Sequence, residues 1–157
     1  QSEGGVFRTP VAPTLERLVR VVAKLNPGID LDFDAEAAAD LVFAGEKQDL
    51  EEIAGNLLEN AGKWAKARIR VSAEATGADR VSVSIEDDGP GLTAEQIVEA
   101  KKRGTRLDEA TPGSGLGLSI VLDMVREYRG VLDLGRSELG GLKATVTVPR
   151  APGGLAA

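Results

Sequence analysis

Asn56, Asn60 and Lys63 stand at i, i+4 and i+7 in a segment whose apolar residues recur at helical spacing: Leu50, Ile53, Ala54, Leu57, Leu58, Ala61, Trp64 and Ala65. The apolar set forms the core-facing stripe of an amphipathic helix. The polar set stacks along a neighbouring face of the same helix. Asn is a mediocre helix former, so two of them beside a buried stripe suggest a helix not chosen for stability alone. Amide oxygens next to a Lys ammonium suit a hydrated hard cation and a phosphate together. Taken by themselves, these residues fit a solvated helix face at least as well.

Two further segments carry chemistry-bearing residues. Glu86-Asp87-Asp88-Gly89-Pro90-Gly91-Leu92 follows a run of strand character. A carboxylate at a strand end can accept a hydrogen bond from a ligand amine, while the glycines let backbone approach closely. An acidic turn reads equally well, because D-G and G-P pairs mark turns generally. Gly113-Ser114-Gly115-Leu116-Gly117-Leu118-Ser119 opens a helical pattern. Glycines before a helix N-terminus expose N–H groups at the positive end of the dipole, which suits phosphate. The dinucleotide fingerprint does not fit, since the segment before it is a polar loop and Leu118 fills its third glycine position. Nor does a Walker A loop, because Gly62-Lys63 is mid-helix and followed by Trp64.

These segments need a scaffold, and the rest of the chain supplies its elements. Pro10 and Pro13 precede a helical pattern in Leu15, Leu18, Val19, Val22 and Leu25, closed by Asn26-Pro27-Gly28. Short strands are expected at 29–33 and 41–44. Ile69, Val71 and Ala73 alternate with polar residues, as do Val81, Val83 and Ile85, and Thr76-Gly77-Ala78-Asp79 joins them as a hairpin. A short helix is expected near 93–100, a polar Gly-containing loop over 103–115, and a helix over about 116–128. Strands at 131–134 and 142–148 join through Gly140-Gly141. The pattern predicts an α+β two-layer sandwich, a mixed but mostly antiparallel sheet covered by helices on one face. Residues 1–9 read as a linker remnant, 10–149 as the domain and 150–157 as a frayed tail.

Composition narrows the function. The chain has 157 residues, enough for one domain with a substantial core, and is 42% hydrophobic and 28% charged. Its net charge of −6 argues against a nucleic-acid surface without excluding a local anion site. It contains no Cys and no His, which excludes thiolate and imidazole metal sites, Ser–His–Asp hydrolysis and any phosphohistidine within this chain. No apolar run approaches the roughly 18 residues of a membrane span, and no signal peptide is visible.

In order and spacing, N-x-x-x-N-A-x-K, D-x-G-x-G and G-x-G-L-G-L-S resemble the ATP-binding domain of sensor histidine kinases. That superfamily (the Bergerat fold) also holds gyrase, the heat-shock ATPase chaperones and mismatch-repair ATPases. The resemblance covers about 10–149. It looks like the PhoQ type, through Pro10-Val11-Ala12-Pro13, Gly45-Glu46, Glu86 to Gly91 and Arg103-Gly104-x-Arg106.

The resemblance implies that Asn60, with Asn56 nearby, holds Mg²⁺ bridging the phosphates of ATP or ADP. Lys63 neutralises phosphate charge, and Trp64 stacks on adenine where the family often has Tyr. Asp87 accepts from the adenine amino group, with Gly89 and Gly91 admitting the base. Gly113, Gly115, Leu116, Gly117 and Leu118 offer a backbone phosphate cradle, and Arg103 and Arg106 contact the γ-phosphate from a mobile ATP lid. Asn60, Lys63, Arg103 and Arg106 are the expected transfer machinery. The implied partners are a His-containing dimerisation domain of the same parent kinase and a response regulator. The domain itself is expected to be cytoplasmic, without direct membrane contact, in a parent anchored in the bacterial inner membrane.

Two departures bear on this expectation. The members that hydrolyse ATP carry a Glu base where this chain has Asn56, which favours a kinase over a gyrase-like ATPase. The Phe-rich lid box of many histidine kinases is replaced by Glu99-Ala100-Lys101-Lys102, which leaves lid packing and a degenerate pseudokinase open. An ATP-switched binding module or an anti-sigma-type Ser/Thr kinase is the remaining rival.

Overall fold

The computed structural model describes residues 7–103 and 118–152. Its elements are β1 (Thr9–Pro10), α1 (Val11–Leu25), β2 (Asp30–Phe33), β3 (Val42–Phe43), α2 (Lys47–Trp64), β4 (Arg68–Thr76), β5 (Arg80–Asp87), α3 (Ala94–Arg103), α4 (Leu118–Glu127), β6 (Val131–Arg136) and β7 (Leu142–Pro149). Five strands form one sheet in the order β2-β4-β5-β7-β6, with β2 parallel to β4 and every other pair antiparallel. The expected α+β sandwich with a mixed, mostly antiparallel sheet is the architecture observed.

Alternation along the strands decides which face is covered. Ile69 and Val71 on β4, Val81, Val83 and Ile85 on β5, Leu132 on β6, and Ala144, Val146 and Val148 on β7 are all buried in one core cluster. Their register brings them side by side, for example Val71 to Ile85 and Val83 to Val146. α1, α2 and α4 lay Leu15, Leu50, Ile53, Leu57, Leu58, Leu118, Val121 and Val125 against that layer. The other face carries a hydroxyl ladder, with Ser82 bonded to Thr76 (2.7 Å) and Thr147 (3.1 Å) and Ser84 to Thr145 (2.9 Å). Paired hydroxyls on an uncovered face satisfy each other or water, so no second helical layer is required there.

α1 starts earlier than its prolines suggest. Pro10 is its N-cap and Pro13 lies in its first turn, where backbone N–H groups lack helical partners and a missing one costs nothing. α3 begins on a capping box: the Thr93 N–H donates to Gln96 Oε1 (2.8 Å) and the Gln96 N–H donates to Thr93 Oγ1 (3.1 Å). It runs to Arg103, past the expected end at Ala100. Ordered structure also reaches the margins of the 10–149 span. Thr9 pairs with Phe43 and donates its hydroxyl to the Gly45 carbonyl, while Ala151 donates its N–H to the Val42 carbonyl.

Candidate functional site

β5 ends on Asp87, whose side chain points to the helix-covered face by the same alternation that buries Ile85. It is 3% exposed. Its Oδ1 accepts from the Gly89 N–H (2.8 Å) and the Leu142 N–H (3.3 Å), and its carbonyl accepts from the Gly141 N–H (3.0 Å). Desolvation raises the pKa of this carboxyl, the two N–H donors oppose the rise, and the Asp88 charge adds to it. Both donors engage Oδ1, which leaves Oδ2 to receive a further donor. A buried carboxylate held in this way is costly to the fold unless a ligand uses it.

Three glycines explain how close the backbone comes. A Cβ on Gly89 would lie 2.3 Å from the Trp64 carbonyl oxygen. One on Gly141 would lie 2.2 Å from Asp87 Oδ1 and 2.6 Å from the Gly89 nitrogen. Gly91 holds φ at +73° against Gly141, a conformation that L side chains disfavour. The β6–β7 turn therefore forms a wall directly against Asp87 and Gly89, a role the sequence reading missed by treating Gly140-Gly141 as a turn alone. Glu86, on the opposite face, pins the same turn from behind: it is buried, accepts from Ser137 Oγ (2.9 Å), and lies 3.5 Å from Arg70 Nη1.

Gly141→Ala tests that wall. The added methyl meets backbone and a buried carboxylate, neither of which can swing away. We expect a loss of about 1–3 kcal/mol in denaturant unfolding.

α2 supplies the second side. Asn60 is 5% exposed, and its Oδ1 is buried without a hydrogen-bond partner among the described residues. Such an atom is rare in a folded protein because an unmet acceptor loses its hydration. An oxygen of this kind is what a hard divalent cation takes as a ligand. Asn56, one turn earlier, is half-buried, and its Nδ2 donates to the Glu52 carbonyl (2.6 Å), leaving its amide oxygen for other use. Lys63 is exposed on the last turn, and Trp64 is 37% exposed at the helix end. Among the described residues no group of three or more His, Cys, Asp and Glu gathers to hold a metal. A cation here would rely on amide and ligand oxygens, which suits Mg²⁺ carried in with phosphates.

Asp88 joins the two sides. Its Oδ1 accepts from the Lys66 (2.7 Å) and Ala67 (3.0 Å) N–H groups, and its Oδ2 from Ala67 (3.1 Å). Desolvation pushes this carboxyl up, but donors from Ala67, Lys66 and Arg68 outweigh it and hold the pKa below the usual value. Tyr128 fixes the third element. Its hydroxyl donates to Asp49 Oδ2 and accepts from the Glu46 N–H (3.3 Å), and its ring meets Phe43 at 4.9 Å between centroids. Burial, then the bond to Asp49, pushes the Tyr128 pKa up to about 12. The end of α4 is thereby tied to the start of α2.

The structure thus brings Asn56, Asn60, Lys63 and Trp64 onto one helix, and places Gly89 and Asp87 beside its end, with Gly91 against Gly141. Leu118 begins α4 with its side chain in the core, so only its backbone N–H is available to a ligand. Arg103 closes α3. Arg106, Gly113, Gly115, Leu116 and Gly117 lie outside the described residues.

Residues 45–152 match the model of the histidine kinase-, DNA gyrase B- and HSP90-like ATPase family. The chain is 40% identical over 134 residues to the sensor protein kinase CarS of Pseudomonas aeruginosa, covering 85% of this chain and 30% of that protein. It is 32% identical over 141 residues to the sensor protein PhoQ of Escherichia coli K12, covering 90% of this chain and 29% of PhoQ. It therefore spans under a third of the length of these relatives. Among solved structures, the mycobacterial sensor histidine kinase MprB superposes with a TM-score of 0.77 at 22% identity, over 94% of this chain and 99% of that one. Full-length ShkA, solved in complex with AMPPNP, gives 0.80 at 22% identity, over 98% of this chain and 33% of that one. At these identities the superpositions show the fold.

Proposed function

The chain belongs to the histidine kinase-, DNA gyrase B- and HSP90-like ATPase family, and from that premise we propose that it is the ATP-binding catalytic domain of a two-component sensor histidine kinase. It binds Mg-ATP and passes the γ-phosphate to a His on a separate dimerisation domain, from which the phosphate reaches a response regulator. The observation that carries the reading is the pairing of a buried carboxylate at Asp87 with a buried amide oxygen at Asn60 that has no hydrogen-bond partner among the described residues. Those two groups suit the two ends of a nucleotide.

In this reading Asp87 Oδ2 accepts from the adenine amine, and Gly89, Gly91 and Gly141 let the base approach the strand end. Trp64 packs on the base. Asn60 provides an amide oxygen to Mg²⁺, with Asn56 as the second amide, and the cation supplies charge neutralisation to the transferring phosphoryl group when bound. Lys63, Arg103 and Arg106 add positive charge to the phosphates, and the N–H groups of Gly113, Gly115, Leu116, Gly117 and Leu118 cradle them. Asn56 cannot take a proton from water as a carboxylate would, which favours a transferase over a gyrase-like hydrolase. The chain has no His, so the acceptor lies elsewhere in the parent. Among the described residues no helix is long and apolar enough to cross a membrane. We place the domain on the cytoplasmic side of a membrane-anchored parent.

Mixing this chain with the parent's His-bearing helices and γ-labelled ATP should yield acid-labile, base-stable phosphate on the helices. Steady phosphate release by the chain alone would favour the hydrolase. Acid-stable phosphoserine on a partner protein, with none on the helices, would favour the anti-sigma-type kinase.

A simpler readout comes from Trp64, the only Trp in the chain. Adding Mg-ADP should quench or shift its emission, saturating with the affinity measured by calorimetry. Unchanged emission at full occupancy would place the base elsewhere.

A further inference from the structure

We propose that Asp88 is a positioning residue for nucleotide binding: it clamps the end of α2 to the end of β5, so that the base-binding edge and the phosphate-binding helix keep one spacing. The proposal rests on the nucleotide reading above and deepens it.

α2 stops at Trp64, and its C-cap Ala65 is extended at φ −63°, ψ 146°. Lys66 and Ala67 therefore leave the helical hydrogen-bond register, and their N–H groups need acceptors from elsewhere. The Asp88 carboxylate provides them, through contacts of 2.7, 3.0 and 3.1 Å. Bonds from N–H to an ionised acceptor are stronger than neutral ones. Next to this clamp the Trp64 carbonyl lies so near Gly89 that a Cβ there would sit 2.3 Å from it. The Ala67 carbonyl also accepts from the Asp30 N–H (2.7 Å), so the same turn starts the β2–β4 pairing. Consecutive residues thus divide the work: Asp87 faces the base, Asp88 holds the helix, and Gly89 permits the contact. Asn60, Lys63 and Trp64 all ride on the final turns of the helix being held. Both Asp88 oxygens are engaged by backbone, so Asp88 acts through α2 and not on the ligand.

The test measures Mg-ADP and adenosine binding to this chain by calorimetry for wild type, Asp88→Ala, Asp88→Asn and Asp87→Asn. A ligand that spans both sides senses their spacing, whereas adenosine engages chiefly one. Asp88→Ala should weaken Mg-ADP by about tenfold or more and adenosine much less. Asp88→Asn keeps one acceptor oxygen and should lose about threefold for Mg-ADP. Trp64 emission should change in ligand-free Asp88→Ala and stay put in Asp87→Asn. Wild-type Mg-ADP affinity in Asp88→Ala overturns the proposal, and so do equal losses for both ligands, which indicate general loosening. If Asp88→Ala does not hold its fold, Asp88→Asn decides: undiminished Mg-ADP affinity overturns the proposal, and a loss confined to Mg-ADP supports it. Full Mg-ADP affinity in Asp87→Asn, or none in wild type, instead removes the nucleotide reading on which the proposal stands.

Discussion

Asp87→Asn is expected to lower ATP and ADP affinity by about 100-fold while leaving the ligand-free protein at least as stable at pH 7. The affinity loss follows from donor counting. Gly89 and Leu142 N–H groups already hold one oxygen of the side chain, and in the proposed site the adenine amine would need the other. An Asn has a single acceptor oxygen, so whichever way its amide turns, an NH₂ faces a donor. The stability effect follows from burial. Desolvation raises the folded pKa of Asp87 above its unfolded value, against the pull of the Gly89 and Leu142 N–H donors and with the Asp88 charge adding to it. A carboxyl whose folded pKa is raised contributes stability below its unfolded pKa and loses it as pH rises through the folded pKa. At pH 7 the raised folded pKa of Asp87 is therefore a cost to the fold, and an uncharged amide does not carry it. Thermal unfolding of both proteins at pH 7 and pH 3 checks the sign: the variant should gain relative to wild type at pH 7, and the gain should shrink at pH 3. Calorimetry showing unchanged nucleotide affinity would remove Asp87 from the base site.

That combination marks what was legible in the sequence and what was not. The alternation of Val81, Val83 and Ile85 puts Asp87 on the covered face by simple parity, and the i, i+4, i+7 spacing puts Asn56, Asn60 and Lys63 along one helix. Periodicity and the first two motifs therefore reach the layer architecture and the described part of the candidate site. What they do not reach is contact across long separations. Nothing local to Gly141 says that its Cα rests against Asp87, or that Ser137 is fixed by Glu86. Those contacts exist because β7 pairs with β5 in a register that sets Glu86 opposite Lys143. The available signal was the doubled glycine: the turn uses Gly140 for its positive φ, which leaves Gly141 without a turn role of its own. Asp88 was passed over for a related reason. In the sequence it is one acid of an acidic turn, and only the non-helical exit of α2 at Ala65 creates the amides that it serves. Asn56 and Asn60 looked equivalent by spacing. The structure separates them by burial and by the bond from Asn56 Nδ2 to the Glu52 carbonyl.

The difference between the two amides leads to the second large effect. Asn60→Ala is expected to abolish most of the Mg²⁺-dependent gain in ATP affinity, while metal-free nucleotide binding changes little. Among the described residues Asn60 Oδ1 is buried without a hydrogen-bond partner, so removing it takes away an unmet acceptor and not a hydrogen bond that holds α2 in place. Ala is also the better helix former, by a fraction of a kcal/mol. The thermal midpoint should accordingly stay level or rise, offset only by the small cavity left behind. If Oδ1 were instead held by ordered water as part of the fold, the midpoint would fall and ATP affinity would drop equally with and without Mg²⁺. Titrating ATP into both proteins, in Mg²⁺ and in EDTA, separates these cases. A loss of about tenfold to 100-fold or more in Mg²⁺ alone is expected, since losing even an outer-shell partner of a metal ligand costs about that much. Asn56→Ala should show a smaller Mg²⁺-specific loss, because its amide is already bonded to its own helix. Transfer to the dimerisation domain should follow the same order, since positioning of the phosphoryl group by charge dominates this chemistry.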